Sequence, residues 1–278
     1  EEHNMSNIDF NLSNEEYHSK SDVLSASGCK TIIGKTLSQF KYAKRTENPA
    51  FAVGTAFHSM CLEPDTVKET VMVGGDNRRG KAWAEAKAEA EERGAVLLTT
   101  EEYELCCNMT EATFANKQAA SLLNSEMLIA EASIFSTDPD TGVKMRCRPD
   151  GWLKQKDNTP SIVIDLKSTI DAGEGFARQV VNYGYHYQES FYRKCMAQAG
   201  VPIDKFYFIA VCKTYPHDVG IYLLSEDTIN EGDAGVRYGL ERFAMAQSTG
   251  NWTSGHEEAQ VIDIPRWGYK FSNPAIEF

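Results

Sequence analysis

Two runs of sequence decide the fold: VKMRCRPDGWL at residues 143–153 and SIVIDLKST at residues 161–169. A third run, EASIFST at residues 131–137, precedes them. All three are short and β-rich, and the turn-forming segments DPDTG and KDNT separate them. Short strands joined by hairpin-type turns predict an antiparallel meander of three strands.

The arrangement of charged residues in this meander indicates a site that could bind a metal or an anionic substrate. Residues two apart on a strand share a face, so Asp165 and Lys167 lie on one face while Ile164 and Leu166 lie on the other. Asp150, at the end of the second strand, is expected across from the charged pair. Charges on so apolar a strand carry a desolvation cost, which a metal or an anionic substrate would offset. The alternative is an ordinary ion pair between Asp165 and Lys167, with Asp150 as a turn residue.

Two neighbouring carboxylates repel each other unless a divalent cation lies between them. Hard oxygen ligands suit Mg²⁺ or Mn²⁺. Such a metal can polarise a phosphoryl oxygen and activate a water, with a nearby lysine orienting that water or neutralising developing charge. The pattern therefore favours phosphodiester hydrolysis.

Helical patterns surround the meander, and two further strands follow it. The predicted helices cover residues 77–94, 100–120, 174–199 and 227–248, and the two strands cover residues 206–214 and 219–225. This order predicts an α/β fold with a helical N-terminal portion. Polar residues 1–20 are expected to form an exposed arm. Residues 21–278 are expected to form a single domain, helical to about residue 125 and with a catalytic sheet core from about residue 126.

Composition narrows the class of protein. The chain has 278 residues, of which 42% are hydrophobic, which is enough for a packed core. No apolar run reaches the roughly 18–20 residues of a membrane span, and EEHNMSNIDF resembles neither a signal peptide nor a lipid anchor, so a cytoplasmic protein without membrane contact is expected. The net charge of −12 would ordinarily count against a nucleic-acid partner, although it does not describe local patches.

Three motifs together resemble a known family. Pro149–Asp150 followed by Asp165-Leu166-Lys167 resembles the signature of the PD-(D/E)XK nuclease superfamily. Upstream, GTAFH at residues 54–58 resembles the GxxxH motif of its RecB-like branch, and downstream QESFY at residues 188–192 resembles the QxxxY motif. The match covers the chain from about residue 20 to its end and looks most like the nuclease domain of RecE-type exonucleases. It implies a restriction-endonuclease-like core with a central mixed β-sheet flanked by helices.

The resemblance also assigns roles to individual residues. The implied metal ligands are His58, Asp150, Asp165 and the Leu166 carbonyl. The implied water-orienting or charge-stabilising lysine is Lys167. The residues implied to support the site or contact DNA are Gln188 and Tyr192. Glu131 occupies the place of an extra acidic residue in several relatives, although it could equally be a surface residue. The implied cofactor is Mg²⁺, for which Mn²⁺ may substitute.

A second, weaker implication concerns phosphate. Ser25, Ser27 and Lys30 lie where related end-processing exonucleases bind a terminal phosphate. The nearby segment GCKTIIGKT at residues 28–36 differs from the phosphate loop GxxxxGK[ST], because five residues instead of four separate its glycines, so no ATP is expected. Some relatives carry an iron–sulfur cluster on four cysteines, three of them near the C-terminus. No cysteine follows Cys212, so no such cluster is expected.

The implied function is a Mg²⁺-dependent exonuclease acting on the ends of double-stranded DNA. The resemblance implies 5′ to 3′ digestion that leaves 3′ single-stranded tails for recombination, a ring-shaped homotetramer, and a single-strand annealing protein as partner. Two alternatives stay open: a metal-dependent endonuclease using the same site, and a catalytically inactive module that binds DNA ends.

Overall fold

The structure, a computed structural model, describes residues 7–20, 22–44, 49–154, 161–269 and 271. Its α-helices are α1 Asn14–Ser19, α2 Ala26–Gly34, α3 Leu37–Tyr42, α4 Pro49–Leu62, α5 Val67–Thr70, α6 Gly80–Arg93, α7 Thr100–Ala115, α8 Lys117–Leu123, α9 Phe176–Tyr183, α10 Tyr185–Gln198 and α11 Glu226–Thr249. Its strands are β1 Ile8–Asp9, β2 Leu24–Ser25, β3 Val71–Val73, β4 Val96–Leu98, β5 Leu128–Ala130, β6 Ser133–Thr137, β7 Lys144–Cys147, β8 Gly151–Leu153, β9 Ser161–Thr169, β10 Ile203–Cys212 and β11 Val219–Tyr222. Short 3₁₀ turns occur at Pro64–Thr66 and Arg266–Gly268.

A five-stranded mixed sheet forms the centre of the molecule, in the order β11-β10-β9-β8-β5. β9 and β10 are parallel, whereas the other neighbours are antiparallel. The parallel pair needs a long crossover, which α9 and α10 supply. A four-stranded sheet, β1-β6-β7-β2, and the pair β3-β4 complete the strands of the described residues. The predicted α/β fold with a mixed sheet flanked by helices is confirmed.

Alternation along β9 separates two hydrophobic cores. Val163 packs with Phe206 and Phe208 in the core that includes residues of α10 and α11. Ile164 and Leu166 point the other way, into the core that includes residues of α4 and α7. The sheet is therefore covered on both faces, and Asp165 lies on the side of Val163 and of α10.

The predicted meander is wrong in one respect: its second strand is two strands in two different sheets. β7 pairs with β6 in the four-stranded sheet, whereas β8 pairs with β9 in the central sheet. The break falls at residues 148–150, where Pro149 lacks the N–H that would continue a ladder of hydrogen bonds. Asp150 therefore immediately precedes β8, at the junction of the two sheets.

The exposed N-terminal arm stays a prediction. Most residues in its described part, residues 7–20, are exposed, and the segment also contacts the domain. β1 pairs with β6, and the ring of Tyr17 is only 7% exposed. The Arg146 guanidinium donates to the carbonyls of Tyr17 and Lys20 at 2.5 and 2.7 Å. Backbone carbonyls, which any sequence offers, make these contacts, so the polar composition of the segment gave no sign of them.

The helices follow the sequence pattern with two breaks. Gly184, in the left-handed conformation with φ 62°, ends α9 and begins α10, and Asn116 ends α7 and caps α8. Gly94, also left-handed, ends α6 as the sequence predicts. The segment that resembles a phosphate loop is helical over most of its length, as α2. Within the described ranges, no helix is both long and apolar enough to cross a membrane.

Candidate active site

The site lies at the start of β8, beyond which β9 continues without a partner on that side. Gly151, the first residue of β8, pairs with Ile164, so the Leu166 backbone has no partner in β8. The Asp150 carboxylate takes the place of a strand there, because its Oδ2 accepts a hydrogen bond from the Leu166 N–H at 2.7 Å. The Leu166 carbonyl oxygen lies 3.0 Å from His58 Nε2. The strand break thus brings a carboxylate, a carbonyl and an imidazole together.

His58 reaches the sheet from α4, which packs against β9. Its Nδ1 lies 3.6 Å from Asp150 Oδ2. Gly54 lies one turn earlier on α4 and lines the same cleft, where a side chain at its position would meet no atom within 4 Å. The absence of a side chain at Gly54 therefore leaves open space beside His58.

Glu131 completes the group. Ligand atoms of His58, Glu131 and Asp150 all lie within 4.8 Å of one another, the one such group of histidine, cysteine and acidic side chains found in the described ranges. Glu131 has a left-handed backbone with φ 52°, which is uncommon for a residue other than glycine and is concentrated at functional sites. Its N–H donates to the Asp150 carbonyl at 3.2 Å. Burial, reinforced by repulsion from Asp150 and opposed by Arg148, raises the pKa of Glu131 to about 8.

Asp165 and Lys167 form an ion pair beside this group. The Asp165 side chain is 1% exposed; its Oδ2 pairs with the Lys167 ammonium, and its Oδ1 accepts from Gln188 Nε2 at 2.6 Å. Burial raises the pKa of Asp165, which Lys167 partly counteracts. Burial disfavours the charge of Lys167, but attraction to Asp165 and Asp150 outweighs it and raises the pKa of Lys167. Lys167 is therefore a fixed positive charge at neutral pH.

Gln188 and Tyr192 lie on one face of α10 and make supporting contacts. Gln188 holds Asp165, as described, and the Tyr192 hydroxyl donates to the Arg148 carbonyl at 3.0 Å. Because Arg148 begins the strand break, Tyr192 fixes the backbone that positions Asp150. The four-residue spacing of the motif thus fastens both acidic residues to one helix.

The structure brings most of the predicted ligands together, with one exchange. His58, Asp150 and the Leu166 carbonyl meet as expected, and Glu131 joins them. Asp165 does not belong to the group within 4.8 Å, because its oxygens are engaged by Lys167 and Gln188. The sequence signal for Glu131 is its place, at the start of the first β-rich run, where several relatives carry an extra acidic residue.

Several residues of the site line a cleft of about 960 Å³, among them His58, Glu131, Leu166, Lys167 and Gln188. His58 and Glu131 line one part of it, whereas Lys167, Lys30 and Lys213 supply positive charge. Burial, together with repulsion from Lys167, lowers the pKa of Lys30 to about 8. An acidic chain therefore has cations where a phosphate would meet the site. Sequence reasoning missed Lys213, which carries no motif and lies just beyond the end of β10.

The three residues predicted to bind a terminal phosphate are not brought into one pocket. Lys30 lines the cleft just described, while Ser25 and Ser27 line a second one. Ser25 Oγ caps α2 by accepting from the Gly28 N–H at 3.2 Å, and it lies 3.0 Å from Ser27 Oγ. The two hydroxyls therefore already have partners, and their role in phosphate binding stays a prediction.

Comparisons with known proteins place the chain in a family. A family model described as a PDDEXK-like domain of unknown function, DUF3799, matches residues 28–265. The chain belongs to this PDDEXK-like family. The predicted membership of the PD-(D/E)XK nuclease superfamily is thereby confirmed, whereas the specific likeness to RecE-type exonucleases stays a prediction. No curated protein matches the chain.

One solved structure supports the fold. The crystal structure of a "putative exonuclease" from Eubacterium rectale is similar to this PDDEXK-like protein with a TM-score of 0.59 and 13% identity, over 95% of this chain and 100% of that one. A second structure, that of SSO0001, covers 70% of this chain and 88% of its own at 15% identity, but its TM-score of 0.28 carries no argument. The family and the fold together support a nuclease.

The residues present fit a divalent cation. PD-(D/E)XK nucleases generally use divalent metals, and one imidazole, two carboxylates and one carbonyl form a donor set that such an ion accepts. Burial, reinforced by repulsion from Asp150, raises the pKa of Glu131, and a bound cation would relieve that repulsion. Held by His58, Glu131, Asp150 and the Leu166 carbonyl, the ion would polarise a phosphoryl oxygen and acidify a bound water.

The stability of the metal-free protein should fall as pH rises from about 4.5 to about 8. The pKa of Glu131 rises from 4.5 to about 8 on folding, so the folded protein retains a proton that the unfolded chain has released. The stabilisation from this group is complete below pH 4.5 and is lost as pH passes 8. Urea unfolding in a chelator at pH 5, 6.5 and 8 measures the slope. Glu131→Gln should flatten it and Glu126→Gln, at an exposed site, should not; an unchanged slope in Glu131→Gln would contradict the assignment.

Proposed function

We propose that this PDDEXK-like protein is a Mg²⁺-dependent exonuclease that digests double-stranded DNA from its ends in the 5′ to 3′ direction. One observation carries the proposal: ligand atoms of His58, Glu131 and Asp150 lie within 4.8 Å of one another, and His58 and Glu131 line the same cleft as Lys167. This arrangement combines a cation-binding group with a fixed positive charge. Phosphodiester hydrolysis needs both, since negative charge develops on the phosphoryl oxygens.

Different side chains of the site have different roles in the proposed reaction. Lys167, held by Asp165, faces the cleft, where its ammonium can orient a water or neutralise charge on the leaving oxygen. Lys30 and Lys213 lie in the same cleft and can hold the phosphates of the strand. Gln188 and Tyr192 act as positioning residues, because they contact Asp165 and the Arg148 carbonyl.

Net charge does not oppose this function. A chain with a charge of −12 can bind DNA when its positive charge is confined to the cleft, since acidic outer walls then tend to keep DNA inside it. An exonuclease, in preference to an endonuclease, is supported by the description of the Eubacterium rectale structure. The 5′ to 3′ polarity, the homotetrameric ring and the annealing partner, which would use the 3′ single-stranded tails in recombination, rest on the resemblance to RecE-type exonucleases.

End-labelled DNA tests the function. Linear duplexes labelled at the 5′ or the 3′ end are incubated beside a covalently closed circle, with Mg²⁺ or with a chelator. Loss of linear DNA from its 5′ ends, only with Mg²⁺ and without cleavage of the circle, is the expected result. Cleavage of the circle would indicate the endonuclease instead. Tight binding of ends without any cleavage by folded, Mg²⁺-supplied protein would indicate the inactive end-binding module.

A further inference from the structure

Three aromatic rings form a column from the core to the surface. Phe208 of β10 is fully buried; the ring of Tyr185 stacks on it with centroids 5.8 Å apart, and the ring of Tyr183 stacks on Tyr185 at 5.7 Å. The interplanar angles are 23° and 26°. Tyr183, at the outer end, is 58% exposed. The column is supported from below by the core and ends in an aromatic side chain open to solvent.

Strand register places this column beside the catalytic residues. Phe208 pairs with Asp165 in the parallel ladder of β9 and β10, and Ala210 pairs with Lys167. The ring centroid of Tyr185 lies 4.8 Å from the Lys167 Nζ. The Nζ of Lys30 lies 5.9 Å from the same centroid. Two ammonium groups therefore flank the middle ring of the column.

The break between α9 and α10 produces the stacked arrangement. Gly184 adopts φ 62°, a conformation that brings Tyr183 and Tyr185 from two different helices face to face. A Cβ atom at Gly184 would meet Tyr187 at 2.9 Å and Lys30 at 3.1 Å. The left-handed backbone at this position favours glycine, and the close approach of Tyr187 further disfavours a side chain there.

Tyr183 lines the same cleft as His58, Glu131 and Lys167. An exposed outer ring, stacked on a middle ring that two cations flank, matches what a nucleotide presents: a flat base and a phosphate. Stacking on aromatic side chains is tolerant of sequence, because every base has a π-face. A base inside a duplex has both faces covered by its neighbours, so only a terminal or unpaired base can extend the column.

We propose that Tyr183 stacks on the base of the terminal or unpaired nucleotide at the cleft, and so makes the protein favour DNA ends over continuous duplex. This inference rests on the proposed nuclease function and names a specificity-determining residue for it. The base extends the column beyond Tyr183, while its phosphate lies toward Lys167 and Lys30.

Fluorescence of a base analogue tests the inference without requiring cleavage. A duplex with 2-aminopurine at its terminal nucleotide is titrated with the full chain in a chelator, and its quenching and affinity are measured. Wild type and Tyr183→Phe should quench the terminal 2-aminopurine. Tyr183→Ala should lose the quenching and bind about 5- to 150-fold more weakly. Tyr238→Ala, at a half-exposed tyrosine on α11, is the matched control and should behave as wild type.

The outcomes separate this inference from the proposed function. Unchanged quenching and affinity in Tyr183→Ala, beside Mg²⁺-dependent cleavage by wild type, would overturn the stacking role alone. Absence of cleavage by wild type, with quenching lost in Tyr183→Ala, would overturn the nuclease and keep the stacking site. A wild type that binds no DNA end would overturn both. A change in sedimentation mass of Tyr183→Ala without a change in quenching would show that another copy of the chain covers this ring, and would also overturn the inference.

Discussion

Replacing Lys167 with methionine should lower the rate of DNA cleavage by at least about 100- to 1,000-fold. The same variant should lose about 3–5 kcal/mol of stability, because the Asp165 carboxylate would stay buried without its partner. Single-turnover cleavage in Mg²⁺ measures the first effect, and urea unfolding in a chelator measures the second. Both effects are expected because Lys167 is at once a fixed charge in the cleft and half of a buried ion pair.

A double variant separates the two roles. Asp165→Asn combined with Lys167→Met removes both charges, so stability should return toward that of wild type while cleavage stays lost. Lys194→Met is the matched control, since Lys194 pairs with the buried Asp138 at 2.9 Å in another part of the fold. It should lower stability without lowering the cleavage rate of the folded protein. Normal cleavage by the double variant would instead mean that Asp165 and Lys167 form an ordinary structural ion pair.

The parts of the site that local rules govern could be predicted from the sequence. The two-residue period of a strand is sufficient to place Asp165 with Lys167 and to turn Ile164 away. Gln188 and Tyr192 share a face because of the helical period alone. These placements depend on spacing within one element, and so they hold whatever that element packs against.

The parts that depend on contacts between distant segments could not be predicted. Pro149 signals a break in the strand, but nothing local says that β7 and β8 then join different sheets. Glu131 enters the metal-binding group because Ala130 pairs with Gly151, which brings its backbone against Asp150. The column that ends at Tyr183 depends on the register of β9 and β10, and sequence periodicity does not specify the register between two strands.

Binding of Mg²⁺ should raise the thermal midpoint of the wild-type protein by about 5–10 °C at 100 times its dissociation constant. A ligand at that concentration stabilises the folded state by about 2.7 kcal/mol, and each kcal/mol shifts the midpoint of a chain of this size by about 2–4 °C. Asp150→Asn should abolish the shift, because it removes one charged ligand of the group formed with His58 and Glu131. Thermal unfolding with and without Mg²⁺ measures the difference independently of any activity.

The same variant should be more stable than wild type when no metal is present. Repulsion from Asp150 helps to raise the pKa values of both Glu131 and Asp165, so loss of its charge relieves both groups. The asparagine oxygen can still accept the hydrogen bond from the Leu166 N–H, which keeps the strand break in place. Asp140→Asn, at an exposed carboxylate paired with Arg237, is the control and should keep the full Mg²⁺ shift. A Mg²⁺ shift of wild-type size in Asp150→Asn would mean that the cation binds elsewhere. If Asp150→Asn is instead more stable than wild type without Mg²⁺ but gains no stability from Mg²⁺, Asp150 is placed to bind an ion at a cost to the stability of the metal-free fold.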